Sequence, residues 1–221
     1  MSPLESIISS QSLENILDEI VTPRLEKIGL TKRSKGKWYG NTKNHLRYGV
    51  TYIQIKGAQG TFIWGANIDF IPVISNGKLN YYKTDKKYLM HLWEGTTEYK
   101  NSFSGAKMKK GIASHWGLKE ANKTISSLFN RYSDSISKWF NEADSYKNLI
   151  AITEKQIKPK STFYNIHFPH PAFILPFLYA KEKQMDTALK LFEELPLHHF
   201  ENKMELHEKT KKKLVELETL L

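Results

Sequence analysis

Gln54-Ile55-Lys56 closes a run rich in apolar and β-branched residues and is the nearest thing in this sequence to a catalytic motif. In some metal-dependent nucleases a strand carries Gln-x-Lys or Glu-x-Lys, its Lys supporting the attacking water while an upstream carboxylate holds the metal. Asp69 would complete such a set, but no Asp or Glu lies between Glu26 and Gln54, so a metal would lack a charged ligand on the neighbouring strand. A solvent-facing polar pair is the plainer reading, and a metal-dependent nuclease-like hydrolase stands as the second alternative. The histidines are His45, His91, His115, His167, His170, His198, His199 and His207, and none forms a His-Glu-x-x-His motif. His167-x-x-His170 flanks Pro169 and would need a third ligand from elsewhere to hold a metal. His198-His199 reads as a helix end, where a cation-capable side chain suits the dipole. The chain has no cysteine, which removes disulfides, thiolate metal sites and thiol nucleophiles. No nucleophile elbow, Walker loop or dinucleotide glycine motif occurs. No catalytic residue, metal or cofactor is therefore expected.

Charge is the other feature that points to a partner. The 221 residues carry 33 basic and 23 acidic side chains, a net +10. The excess is uneven: residues 1–31 hold two basic and five acidic groups, whereas residues 32–60 hold seven basic and none acidic. Such a stretch is an electrostatic footprint for an anionic partner, or else a solvated Lys-rich face. Aromatics interleave it: Trp38, Tyr39, Tyr48, Tyr52, Phe62, Trp64, Tyr81 and Tyr82. Aromatic platforms over a positive groove bind single-stranded nucleic acid. The candidate binding residues, for nucleic acid or an acidic protein, are Lys32, Arg33, Lys35, Lys37, Arg47, Tyr48, Tyr52 and Lys56.

The elements that must position these residues follow from periodicity. Leu13, Ile16, Leu17, Ile20, Val21, Leu25 and Ile28 share a helical face, with Ser12 as the expected cap, a break after Thr22 forced by Pro23, and Gly29 as the stop. Residues 36–40, 46–56 and 61–73 read as strands. Phe62, Trp64, Ala66, Ile68 and Phe70 alternate onto a core face, and Thr61, Gly65, Asn67 and Asp69 onto a wet one. Gly57–Gly60 is a four-residue hairpin loop, and Asn76-Gly77 a second hairpin signal. Residues 88–95 suggest one or two helical turns. From His115 onward the pattern is helical. The fold class expected is α+β: an N-terminal helix on an antiparallel β-meander, followed by an all-helical C-terminal third. The expected domains are 1–155, a linker at 156–171 with Pro159, Pro169 and Pro171, and a helical hairpin plus amphipathic helix at 172–221. The pair 172–195 has the form of a single tetratricopeptide unit with Ala180 and Ala188 at the small packing positions. One copy makes no array, so a hairpin packed on its own domain is the reading.

The segment from Leu17 through Ile28-Gly29-Leu30-Thr31-Lys32-Arg33 and Trp38-Tyr39, with Tyr52-Ile53-Gln54-Ile55-Lys56 and Phe62–Asp69, resembles the bacterial domain-of-unknown-function family numbered 4304. Trp116-Gly117 and Trp139-Phe140 sit where that family tends to have Trp. The resemblance covers about residues 14–150 and implies a fold, an antiparallel sheet with flanking helices, with no established activity. By analogy with small bacterial immunity and conflict-system domains, it suggests a subunit or accessory of a defence assembly.

The function expected is a non-catalytic protein-binding module with a protein partner, the alternative being a nucleic-acid-binding protein that uses residues 32–56. No apolar run approaches the ~20 residues a membrane helix needs. The N-terminus has no basic region followed by an apolar stretch, so a cytoplasmic location is expected.

Overall fold

The computed structural model describes residues 6–55, 57–84, 87–105, 111–158 and 162–220. In chain order the described elements begin with helices α1 (Ser10–Ile20) and α2 (Thr22–Glu26), then strands β1 (Thr31–Ser34), β2 (Lys37–Tyr39), β3 (Leu46–Ile55), β4 (Gln59–Ile68), β5 (Val73–Ser75), β6 (Lys78–Asn80) and β7 (Leu92–Gly95). Helix α3 (Thr97–Ser102), strand β8 (Ala113–Ser114) and helices α4 (Leu118–Glu142), α5 (Tyr146–Ile157), α6 (Thr162–Asn165), α7 (Pro171–Lys181), α8 (Met185–Glu193) and α9 (Met204–Leu220) follow, with a 3-10 turn at Leu197–Phe200. The fold is α+β: an N-terminal helix, an antiparallel meander and a helical C-terminal portion.

The chain divides into two compact units that are not consecutive in sequence. Unit 1 comprises Met1–Ala66 and Trp93–Trp139, and unit 2 comprises Asn67–Leu92 and Phe140–Leu221. This division differs from the expected boundary near residue 155, because residues 67–92 group with the C-terminal helices.

In unit 1, α1 buries Leu13, Ile16 and Leu17. The cap is Ser9 rather than Ser12: the Ser12 backbone N–H donates to Ser9 Oγ at 3.0 Å, because the helix starts one turn earlier than the apolar pattern suggests. The helix breaks at Val21, and Pro23 falls in the first turn of α2, where its missing N–H costs nothing. Gly29, at φ 82°, lets the Leu30 N–H return to the Leu25 carbonyl at 3.0 Å and closes the helix.

The sheet has the order β1-β2-β3-β4-β7, with β8 paired to β4. β1 and β2 are antiparallel, in register Thr31↔Tyr39, with a bulge between Lys32 and Ser34. β2 pairs antiparallel with β3 through Trp38↔Val50. β3 turns into β4 through Gly57 and Ala58, both with positive φ, so the loop is tighter than the four residues expected. Phe62 meets Tyr52 at 5.0 Å between ring centroids and Phe129 of α4 at 5.3 Å. α4 thus lays Ala121, Ile125, Phe129 and Ile136 into the core. The wet face expected for β4 is not wet: Thr61 is fully buried. Its hydroxyl donates to the Gly111 carbonyl at 3.1 Å and shares a 3.0 Å bond with Thr96 Oγ1, so the segment carrying these groups covers that side. Residues 92–95, where helical turns were expected, form β7.

In unit 2, β5 and β6 form a separate hairpin whose turn is Asn76-Gly77, at φ 54° and 70°. α7 is apolar all round and buried along most of its length, as a helix enclosed by neighbours must be. It packs against α5, α8 and α9. Phe173, Phe177, Phe192 and Phe200 build the aromatic core, and Ala180 and Ala188 are buried within the α7–α8 hairpin. Within this unit Asn67, also expected on a wet face, is fully buried and donates to the Leu89 carbonyl at 2.9 Å.

Candidate functional site

The basic stretch of residues 32–56 lies on β1, β2 and β3 of unit 1, and the pleat sorts its members into separate environments. Arg33, Lys35 and Lys37 are exposed. Arg33 donates to the Asn41 side chain at 3.3 Å with its guanidinium over the Tyr39 ring. Lys35 reaches back to α1, donating to the Ser10 carbonyl at 2.7 Å and to its hydroxyl. Lys32 is half-buried and sits 2.7 Å from both Glu14 and Asp18, so its charge is already matched. Arg47 is fully buried, its guanidinium 5.2 Å from the centre of the Tyr39 ring. A side chain enclosed in this way does not meet a phosphate at the surface, which corrects its expected place among the contact residues.

Tyr48 is half-buried and Tyr52 is buried. The expected place of Tyr52 among the contact residues therefore fails, because its hydroxyl and His115 Nε2 close on each other at 2.7 Å. Burial pushes the Tyr52 phenol up and the His115 imidazole down, so both favour their neutral forms and share this hydrogen bond. Trp38, Tyr39, Phe62 and Trp64 are buried as well. The exposed cations thus stand without an exposed aromatic platform formed by those rings. Beside Lys35 a shallow cleft of about 300 Å³ is lined by Ser10, Gly36, Tyr52 and Gln54 among others. Gln54 is exposed, Lys56 lies outside the described residues, and Asp69 belongs to unit 2.

Unit 2 holds a second cluster. A cleft of about 330 Å³ is lined by His167, His170, His198 and His199, with Phe168, Pro169, Phe173, Asn165 and Glu201, and with Ile74–Asn76 of the β5–β6 hairpin. His170 caps α7: the Ala172 N–H donates to its Nδ1 at 3.1 Å, which leaves the neutral ring's proton on Nε2. The ring centroids of His170 and His199 are 5.4 Å apart, and those of His198 and His199 are 4.3 Å apart. Burial first, then the neighbouring imidazoles, lowers His199 to about 4 and His167 to about 3, and lowers His170 as well. Glu201 accepts a hydrogen bond from the Gly77 N–H at 2.8 Å and lies 3.5 Å from the Lys203 ammonium.

The sequence singles out the two histidine pairs but not their meeting. His198 and His199 lie in the 3-10 turn after α8 rather than at the end of a helix, and the α7–α8 hairpin returns the chain so that this turn faces the cap of α7. The signal available was the hairpin itself, whose two arms must bring residues 170 and 199 to one end. Among the described residues no three His, Asp or Glu side chains are grouped so as to hold a metal ion, and no helix is long and apolar enough to cross a membrane.

Set beside family models, curated proteins and solved structures, the chain matches none of them. The resemblance to family 4304 supplies no site residue, and the choice of site rests on the geometry of the chain itself.

Proposed function

We propose that the protein is a non-catalytic binding module that receives an acidic segment of a protein partner on the exposed cations of β1 and the β1–β2 turn. The observation that carries this reading is the separation of charge from aromatic surface. Arg33, Lys35 and Lys37 are exposed, whereas Tyr52, Trp38 and Tyr39 are buried. Stacking is what gives a single strand its hold beyond Coulomb attraction, worth about 1–3 kcal/mol per base. Without those rings at the surface, the remaining attraction serves carboxylates as well as phosphates. β1 is also short, edge-placed, bulged and charged, features that discourage strand-to-strand pairing and leave side-chain recognition as the means of docking. The analogy with immunity-type domains adds a context, a defence assembly in which the partner is encoded nearby.

The test is fluorescence anisotropy with labelled poly-glutamate and with labelled single- and double-stranded oligonucleotides, at about 50 and 200 mM salt. Poly-glutamate should bind, weaken with salt, and weaken further in the variant carrying Arg33→Ala, Lys35→Ala and Lys37→Ala. Oligonucleotide binding that is tighter than peptide binding and lost in the same variant would move the reading to nucleic acid. Binding of neither probe at low salt would remove the basic surface as a docking site.

A further inference from the structure

The imidazole cleft of unit 2 plays no part in that docking, and its chemistry is different. The His199 ring stands 4.3 Å from that of His198 and 5.4 Å from that of His170, centroid to centroid, and His167 closes the cleft from its buried side. Rings this close repel one another once protonated. The carboxylate that lines the cleft, Glu201, is already engaged by the Gly77 N–H and the Lys203 ammonium. Among the described residues, the cluster therefore has several groups that can become cationic and no uncommitted lining carboxylate to balance them. The N-terminal donors of α7 do not serve this role, because the Ala172 N–H is taken by His170 Nδ1 and the Phe173 N–H by the His170 carbonyl. The imidazoles are what an incoming ligand would meet.

We propose that this cleft binds a small organic oxyanion, a carboxylate, sulfonate or phosphate ester on an apolar body, and takes up a proton as it does so. The His170 Nε2–H is one donor in the neutral state. The proton comes from solvent and settles on a ring nitrogen of the His170–His198–His199 group, turning an acceptor into a second N–H donor, and no covalent bond changes. The anion replaces repulsion between rings by attraction to each of them, worth more in a partly enclosed site than in water. A volume of about 330 Å³ exceeds what a bare sulfate fills and falls at the lower end of small-ligand sites. Phe168 and Phe173 supply an apolar wall for the body of the ligand. A transition metal is the other natural guest of histidines. It is disfavoured because no group of three His, Asp or Glu side chains able to hold a metal occurs among the described residues.

The test uses the whole chain and two probes whose own charge does not change with pH, sulfate and benzenesulfonate, titrated by calorimetry at about pH 7.5 and 6, with the imidazole signals followed by NMR. Benzenesulfonate should bind more tightly than sulfate. Its affinity should rise by up to tenfold for each unit the pH falls, the signature of one linked proton. His198→Ala removes an exposed ring and His170→Asn keeps a capping side chain, so both should fold, as a dispersed amide spectrum would verify. Each should weaken benzenesulfonate binding at least about threefold and flatten its pH dependence, since a charge-assisted hydrogen bond is lost. Affinity independent of pH, variants that bind as the parent does, or no response to either anion while zinc chloride shifts the same imidazole signals would each overturn the proposal.

Discussion

The two units place their ionisable groups in opposite ways. Unit 1 exposes the cations Arg33, Lys35 and Lys37, while Lys32 is matched by Glu14 and Asp18 and Arg47 is buried against the Tyr39 ring. Unit 2 carries imidazoles inside: His91 and His167 are buried, and His170 and His199 line the cleft. Surface charge answers to salt and to partners; buried imidazole answers to acid. The difference teaches that a net charge of +10, a property of the whole chain, says little about which half responds to which condition.

Acidification should separate the units most strongly. Burial lowers His91 and His167 to about 3 and His199 to about 4, all below the ordinary value near 6.5. The folded state therefore binds fewer protons than the unfolded chain once the pH drops below 6.5. The stability these groups confer is complete above that value and is lost as pH falls from 6.5 toward 3. Counting only His91 and His167, the loss by pH 5 is about 4 kcal/mol, at ~1.4 kcal/mol per pH unit for each group. Unit 1 contributes one such group, His115, also lowered by burial. Amide hydrogen exchange compared at about pH 7 and 5 should show protection falling at Ile174 and Leu178 well before Val50 and Phe62. Equal loss in both units would break the comparison.

His91 offers a sharper test within unit 2. Its Nδ1 accepts from the Ile68 N–H at 3.0 Å, and its Nε2–H donates to the Ile71 carbonyl at 3.2 Å. His91→Ala orphans two backbone groups in a fully buried place and leaves a cavity, a loss of about 3 kcal/mol by denaturant titration. The variant should also show a shallower decline of stability between pH 6.5 and 5. An unchanged decline would mean that His91 titrates much as it does in the unfolded chain.

The counterpart in unit 1 is Tyr52→Phe. It deletes the hydroxyl that meets His115 Nε2 and leaves that nitrogen unpartnered in the interior, at about 1–2 kcal/mol. The His115 signal should remain that of a neutral ring, since burial, not the phenol, is what lowers it. A variant as stable as the parent would show that water or a rotated ring replaces the lost bond.

How legible these sites were depends on what kind of signal carried them. The α1 face and the apolar alternation of β4 follow from periodicity, because one buried face imposes a period on the sequence, the Asn76-Gly77 turn from residues that tolerate positive φ, and the α7–α8 hairpin from two apolar runs either side of a short break. β1 did not follow, since Thr-Lys-Arg-Ser at an exposed edge has no apolar member to alternate. The burial of Thr61, Asn67 and Arg47 was hidden for a related reason: polar residues read as wet unless their partners are known, and those partners lie far along the chain at Thr96, Gly111 and Leu89, with the Tyr39 ring beneath Arg47. The imidazole cleft and the interleaving of residues 67–92 with the C-terminal helices depend on long-range packing that no local pattern encodes.

The smallest expected effect tests the surface side of the comparison. Lys32 bridges Glu14 and Asp18 at 2.7 Å, joining β1 to α1, yet its side chain and those of its partners keep part of their surface in water. An ion pair in that position gives modest Coulomb energy in a high-dielectric setting and costs rotamer entropy, so Lys32→Met should lower stability by only about 0.5 kcal/mol. The effect should shrink at 1 M sodium chloride, where the screening length is about 3 Å, because part of what is lost is attraction through solvent. His91→Ala, measured beside it, should keep its full cost in salt, since a buried hydrogen bond is not screened. A Lys32→Met loss above about 2 kcal/mol that persists in high salt would show this charge behaving as an interior group. The division between an outside charged by lysine and arginine and an inside gated by histidine would then fail at a residue that unit 1 pairs with two carboxylates.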